Sequence, residues 1–144
     1  RCHTYRDFLN GYEMLRGQGV EVCVHLINGL PFESADMMRQ SAREISRLDI
    51  HMVKLHLLHI LKGTELAKMY ERGEFQAMQL YDYVSIICDQ IEMFDKNVII
   101  GRVTGDGARE EIIAPLWSLR KREVLNEIDK ELYRRGSFQG INYA

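Results

Sequence analysis

Val20-Glu21-Val22-Cys23-Val24-His25-Leu26-Ile27, running into Asn28-Gly29-Leu30-Pro31, decides the fold. Val20, Val22, Val24 and Leu26 alternate with Glu21, Cys23, His25 and Ile27, a period of two rich in β-branched residues, so the stretch reads as a strand that stops at a turn sequence. Before it, Tyr5, Phe8, Leu9, Tyr12 and Leu15 recur at helical spacing behind a cap at Thr4, and Gly17 and Gly19 end the pattern. After it, Ser34 caps a helix with Met37, Met38, Ser41, Ile45 and Leu48 on one face, and 52–59 is a second strand. Thr64 caps a short helix to about Arg72, and 80–94 is a longer one carrying Val84, Ile87, Cys88 and Ile91. Asp95-Lys96-Asn97 turns the chain into a third strand over 98–103. A last helix, from about Leu119 to Arg135, buries Val124, Leu125, Ile128 and Leu132 and stops at Gly136.

About three strands alternating with helices make an α/β chain with a parallel sheet, either doubly wound or part of a β/α barrel. No internal repeat, low-complexity run or Pro/Gly/Ser linker divides the sequence, so 1–144 is expected to form a single domain.

Composition narrows the function. The chain has 144 residues, 46% hydrophobic and 28% charged, enough to bury a core. Its formal charge of -2, from 19 basic and 21 acidic residues, gives no overall positive field for a phosphate backbone. Cys2, Cys23 and Cys88 are odd in number and too far apart for a disulfide framework, which suits reduced thiols in a cytoplasm. No apolar run approaches the roughly 18 residues of a membrane span, so no membrane partner is expected. The start at Arg1-Cys2-His3 reads as that of a piece of a longer protein.

The two sides of the strands differ. Val20, Val22, Val24 and Leu26, with Val53, Leu55 and Leu57, suit packing beneath helices. The opposite side offers Cys23 and His25, Lys54 and His56, then Arg102 beside Ile100 and Thr104, an inner surface lined for a polar ligand. Lys54, His56, Arg102 and Asp106 are the candidate substrate contacts. The carboxyl ends of the strands, where ligands gather in parallel architectures, fall at Asn28-Gly29-Leu30-Pro31, His59 to Gly63 and Thr104-Gly105-Asp106-Gly107. Asp106 either accepts a substrate hydrogen bond or makes an Asx turn. His56 and His59 are three apart and point to opposite sides of an extended strand, so no metal site is expected. Trp117 is read as closing the core, Met37 and Met38 as core filler, and Arg120-Lys121-Arg122 as part of a solvated mixed-charge face. A helix start at Gly63-Thr64 offers a third reading, a phosphate-binding enzyme.

His25-Leu26-Ile27-Asn28-Gly29-Leu30-Pro31-Phe32-Glu33 resembles the GLPGE strand-and-loop motif of radical S-adenosylmethionine (radical SAM) enzymes, with Phe32 in place of the usual glycine. Arg1-Cys2-His3-Thr4-Tyr5 resembles the end of their NRGH segment, with Cys2 replacing glycine, and 53–59 with Leu61-Lys62-Gly63-Thr64 resembles the next strand and its exit loop. Arg102-Val103-Thr104-Gly105-Asp106-Gly107, Ala114-Pro115-Leu116-Trp117-Ser118-Leu119, Glu123-Val124-Leu125-Asn126 and the closing 134–140 are similar to the YhcC/YtqA subgroup. The resemblance implies the C-terminal portion of a partial, TIM-like parallel β/α barrel plus a C-terminal extension. It further implies that Arg1, His25, Asn28, Gly29, Leu58 and His59 help bind SAM, and that tRNA is the substrate. A [4Fe-4S] cluster would be held by a CxxxCxxC motif in the N-terminal half, and that motif is absent from these residues. The chain alone is therefore expected to be inactive and to hold no cofactor, its partner being the missing half or a second copy in a homodimer. The alternative is a non-catalytic interaction module that assembles through its exposed sheet.

Overall fold

The computed structural model describes residues 3–105 and 107–143. In chain order the elements are α1 (Tyr5–Leu15), β1 (Cys23–Asn28), α2 (Ala35–Ser46), β2 (Met52–Leu57), β3 (Ile60–Leu61), α3 (Glu65–Glu71), α4 (Leu80–Met93), β4 (Ile99–Arg102), β5 (Ile112–Ala114), a 3-10 turn (Leu116–Leu119) and α5 (Lys121–Arg135). The caps read from sequence are made. The Thr4 hydroxyl accepts the Asp7 N–H while Asp7 takes the Thr4 N–H at 2.7 Å, and Ser34 and Thr64 accept from Met37 and Ala67. Gly136 ends α5 in the left-handed conformation at φ 60°. No helix among the described residues is long and apolar enough to cross a membrane.

β1, β2 and β4 form a parallel three-stranded sheet in the order β1-β2-β4, with helices between successive strands. One side of the sheet is dry. Val24, Val53, Leu55 and Leu57 pack there with Ile45 of α2, Tyr83, Val84 and Ile87 of α4, and Val124 and Ile128 of α5. Tyr12 fastens α1 to the turn before β2, accepting the Asp49 N–H at 2.7 Å. The other side carries no helix among these core contacts, and Cys23 and His25 are exposed on it.

Several expectations shift. β1 starts at Cys23, where its register with Met52 begins, Val20 standing exposed before it, and β2 ends at Leu57, where the Leu58 N–H turns back to the Asn28 carbonyl at 2.9 Å. Beyond that turn β3 pairs antiparallel with β5. Strands of two and three residues are too short to show a period, so neither was legible in the sequence. α5 begins two residues late because the Ser118 hydroxyl bonds the Pro115 carbonyl and holds a 3-10 turn in front of it. Met37 and Leu125, expected in the core, are exposed; Met38, Ala42 and Ile45 of α2 and Val124 and Ile128 of α5 are the buried members of their helices. Ile100, expected on the polar side, packs against the core instead.

One polar pair lies inside this core. The Asn28 amide donates to Gln90 Oε1 at 2.9 Å, Gln90 Nε2 returns a bond to Asn28 Oδ1 at 2.8 Å, and the same Nε2 donates to the Met38 carbonyl at 3.1 Å. Both residues are almost wholly buried, at 2% and 0% exposure, so the bonds have no water to replace them. Asn28→Ala strands the Gln90 carbonyl oxygen, an expected loss of about 1–3 kcal/mol in urea denaturation. Replacing both residues with leucine should cost less than the single change, because no buried polar group is then left unpaired.

Candidate functional site

The open side of the sheet is built by strand parity. Cys23, His25 and Ile27 alternate with the buried residues of β1, and Met52, Lys54 and His56 with those of β2. Register places Lys54 beside His25 and His56 beside Ile27, so the two histidines are diagonal neighbours. His56 Nε2 lies 3.2 Å from His25 Nδ1, and the rings stack with centroids 5.1 Å apart at 20°. One nitrogen carries the proton and the other accepts it. The sequence already put both histidines on one side; what it lacked was the register that makes them touch.

β4 joins through a register shift between Val53 and Lys54, which sets Arg102 beside Lys54. Gly101 permits the approach: a Cβ there would meet Met52 Sδ at 2.6 Å and Lys54 Cγ at 3.5 Å. β1, β2 and β4 contain no aspartate or glutamate, so the carboxylates outnumbering bases elsewhere do not reach this surface from its own strands.

At the carboxyl ends of the strands a cleft of about 840 Å³ opens between Tyr5 of α1, the two histidines, Leu30, Glu33 and His59. Glu33 closes the first loop, its Oε2 accepting the Gly29 and Leu30 N–H groups at 3.1 Å each. Partial burial pushes the Glu33 carboxyl up from its ordinary range, and these two bonds only partly oppose that. The Leu30-Pro31-Phe32-Glu33 turn is closed by the Glu33 N–H on the Leu30 carbonyl at 3.0 Å, with proline second and a positive φ third. Phe32 occupies that third position at φ 65°, unlike any other described non-glycine residue, and the residue is 76% exposed.

His59 stands at the opposite wall. A Cβ on Gly105 would fall 2.8 Å from His59 Nε2, and one on Gly107 3.0 Å from Nδ1. The glycines of this loop, read from sequence as room for a ligand or as turn chemistry, make room for an imidazole of the protein itself.

The sequence candidates therefore divide. His25, His56, Leu58 and His59 meet at the cleft. Asn28 lines it too, while its side-chain amide is committed to Gln90. Gly29 lies in the loop at φ 82°, its N–H held by Glu33, and Lys54 and Arg102 lie on the open sheet below. Arg1 and Asp106 fall outside the described residues. Among the described residues no group of three potential ligands could hold a metal. The thiols do not fit an iron-sulfur cluster: Cys23 is exposed on β1, whereas Cys88 is buried in α4, where burial pushes its thiol up to about 12.

Trp117 lies 5.4 Å from the Tyr83 ring and donates from Nε1 to the Met78 carbonyl at 2.9 Å, so it closes the core. Arg120 pairs with Glu123 at 3.1 Å on an exposed face. The Thr64 side chain already caps the start of α3, a seven-residue helix.

The Radical SAM C-terminal domain family matches residues 50–134. The uncharacterized protein YtqA of Bacillus subtilis is 46% identical over 97% of this chain, and the tRNA uridine(34) acetyltransferase of Methanocaldococcus infernus is 29% identical over 74%. The chain spans 44% and 20% of the lengths of these two relatives. Among solved structures, the archaeal Methanocaldococcus infernus Elp3 with its N-terminus deleted superposes with a TM-score of 0.82 over 96% of this chain and 33% of its own. At 23% identity that likeness is one of fold.

Phe32 gives the loop a measurable signature. A non-glycine residue in the left-handed region carries about 1–2 kcal/mol of strain, against roughly 0.5–1 kcal/mol for the greater chain entropy of glycine. Phe32→Gly is therefore expected to raise the unfolding midpoint slightly, a net gain of up to about 1 kcal/mol; a loss of stability would show that the ring is held by contacts that outweigh the strain.

Proposed function

The chain belongs to the radical SAM family through its C-terminal domain, and on that footing we propose that it forms the SAM-facing and substrate-facing wall of a cytoplasmic enzyme that modifies tRNA. The observation that carries this reading is the open, polar side of the parallel sheet, continuous with a cleft at the strand ends where this architecture gathers its ligands. The sheet belongs to a partial barrel, and further strands, from the rest of the polypeptide or from a second copy, extend it beyond the edges of β1 and β4.

In this proposal SAM lies along the β1 and β2 ends. Arg1 and His25 meet its polar groups, and the backbone from Asn28 to Gly29 flanks the adenosyl group. Leu58 and His59 line the adenine; the Leu58 N–H is already taken by Asn28, which leaves its carbonyl for the base. Lys54, His56, Arg102 and Asp106 face the substrate. The [4Fe-4S] cluster is held by cysteines outside these 144 residues, because the thiols described here do not converge. When bound, the cluster and SAM supply a one-electron reductive cleavage; the residues of this chain bind, orient and exclude water. The tRNA assignment is supported by the similarity to a protein named as a tRNA uridine(34) acetyltransferase.

A second reading, a binding module without chemistry, is favoured by the same sheet edges, at β1 and β4, which pair with no further strand among the described residues. Anaerobic reconstitution of the full polypeptide separates the two. Cluster absorbance with release of 5'-deoxyadenosine, on mixing with SAM and a reductant, is the expected result; an iron-free protein that leaves SAM intact would leave only the module. For the substrate, a strain lacking the gene should lose one modified tRNA nucleoside, and an unchanged nucleoside profile would remove tRNA from the proposal.

A further inference from the structure

We propose that the open side of β1, β2 and β4 is an anion subsite for a phosphate of the polynucleotide substrate, with Lys54 as its central cation and the His25–His56 pair at its rim. The proposal rests on the tRNA reading and adds the chemical group recognised and the residue that recognises it.

The first observation is how charge is partitioned. In a chain of net charge -2, the strands of this surface supply the cations Lys54 and Arg102, the imidazoles of His25 and His56, and no carboxylate. The second is the state of Lys54. Elsewhere the basic side chains tend to be paired: Arg39 with Asp89, Lys68 with Glu65, Arg120 with Glu123 and Lys130 with Glu127. Lys54 makes no hydrogen bond or ion pair among the described residues, yet it is half-buried, unlike Lys62 and Lys96, which stand exposed. An ammonium carried on strands that contribute no carboxylate is available to an anion that arrives to meet it.

The third observation is geometric. Gly101 lets β4 lie against the stem of Lys54, and the register shift brings Arg102 alongside. Lys54 is the register partner of His25, whose ring touches His56 at 3.2 Å, and both rings line the cleft of about 840 Å³. An anion seated at Lys54 therefore has its organic remainder directed into that cleft. Separate donors from adjacent strands surround a group with several oxygens, whereas a planar carboxylate is met best by a single guanidinium fork. SAM carries no phosphate, so Lys54 serves the substrate, and His25, placed against SAM above, stands where the two ligands meet.

Uridine 5'-monophosphate and uridine, titrated into the full polypeptide by calorimetry, test this. The phosphate is expected to tighten binding about tenfold, an advantage that shrinks as salt is raised. Lys54→Gln should bring the nucleotide down to the affinity of the nucleoside, and Lys54→Arg, which keeps the charge, should retain the preference. Equal affinities for the two ligands, no binding of the nucleotide at millimolar concentration, or a full preference in Lys54→Gln would overturn the proposal. Inorganic phosphate that competes as well as the nucleotide would also overturn it, since the cleft would then contribute nothing. The tRNA reading fails separately, through the nucleoside profile: a phosphate preference beside an unchanged profile keeps the subsite and moves it to another nucleotide substrate.

Discussion

The reciprocal amide pair between Asn28 and Gln90 is the constraint on which the geometry of the cleft depends. It sits where β1 ends and the glycine loop begins, and it is sealed from solvent on both sides. Two amides that satisfy each other in a dry core allow one relative position of strand and helix, because any slip leaves a polar atom unpaired. The third bond, from Gln90 to the Met38 carbonyl, extends the lock to α2. With the Asn28 side chain drawn towards α4, its carbonyl is presented to the Leu58 N–H, so one residue fixes the exits of two neighbouring strands. Loops carried by those exits inherit their position from the core.

A second network holds α4 itself. Arg135, near the end of α5, donates to Asp89 and Glu92 of α4, to Glu131 on its own helix and to the Ser85 hydroxyl. Arg39 of α2 reaches the other oxygen of Asp89 at 2.6 Å, and Ser137 and Asn142 donate to Glu92. Isolated surface pairs contribute little, but here one guanidinium uses several donors at partly buried carboxylates on two helices. The chain after α5 is thereby tied back across α4, so the C-terminal segment belongs to the scaffold that positions Gln90.

Much of this was legible in the sequence, and what was not has physical reasons. The caps at Thr4, Ser34 and Thr64, the five helices and the three parallel strands follow from spacing and from hydroxyl residues before apolar runs. β3 and β5 escaped because two or three residues cannot display alternation. The fate of Met37 and Ile100 escaped because periodicity assigns a face only to within one residue when a helix start or a register shift intervenes. Strand parity gave the open surface with His25, Lys54 and His56, but not the contact between the histidines, which needs the register between strands distant in sequence. The direction of the Asn28 amide was not legible either, because its partner Gln90 lies 62 positions away.

The glycines of the site illustrate why a motif fixes less than its letters suggest. Gly29 is needed for a backbone angle, since the nearest atoms to a Cβ there are at ordinary contact distance. Gly101 and Gly105 are needed for space, and that space is filled by the protein's own Met52 and His59. Glycines that make room for protein atoms leave none for a ligand at those points, so the volume open to one lies beside Gly105 and His59, above His25 and His56. Phe32 completes the pattern from the opposite direction. It takes the angle at which glycine would be easier and projects a large ring into solvent at the mouth of the first loop. The loop thus keeps the turn that the Glu33 carboxylate closes while offering an aromatic surface that glycine would not.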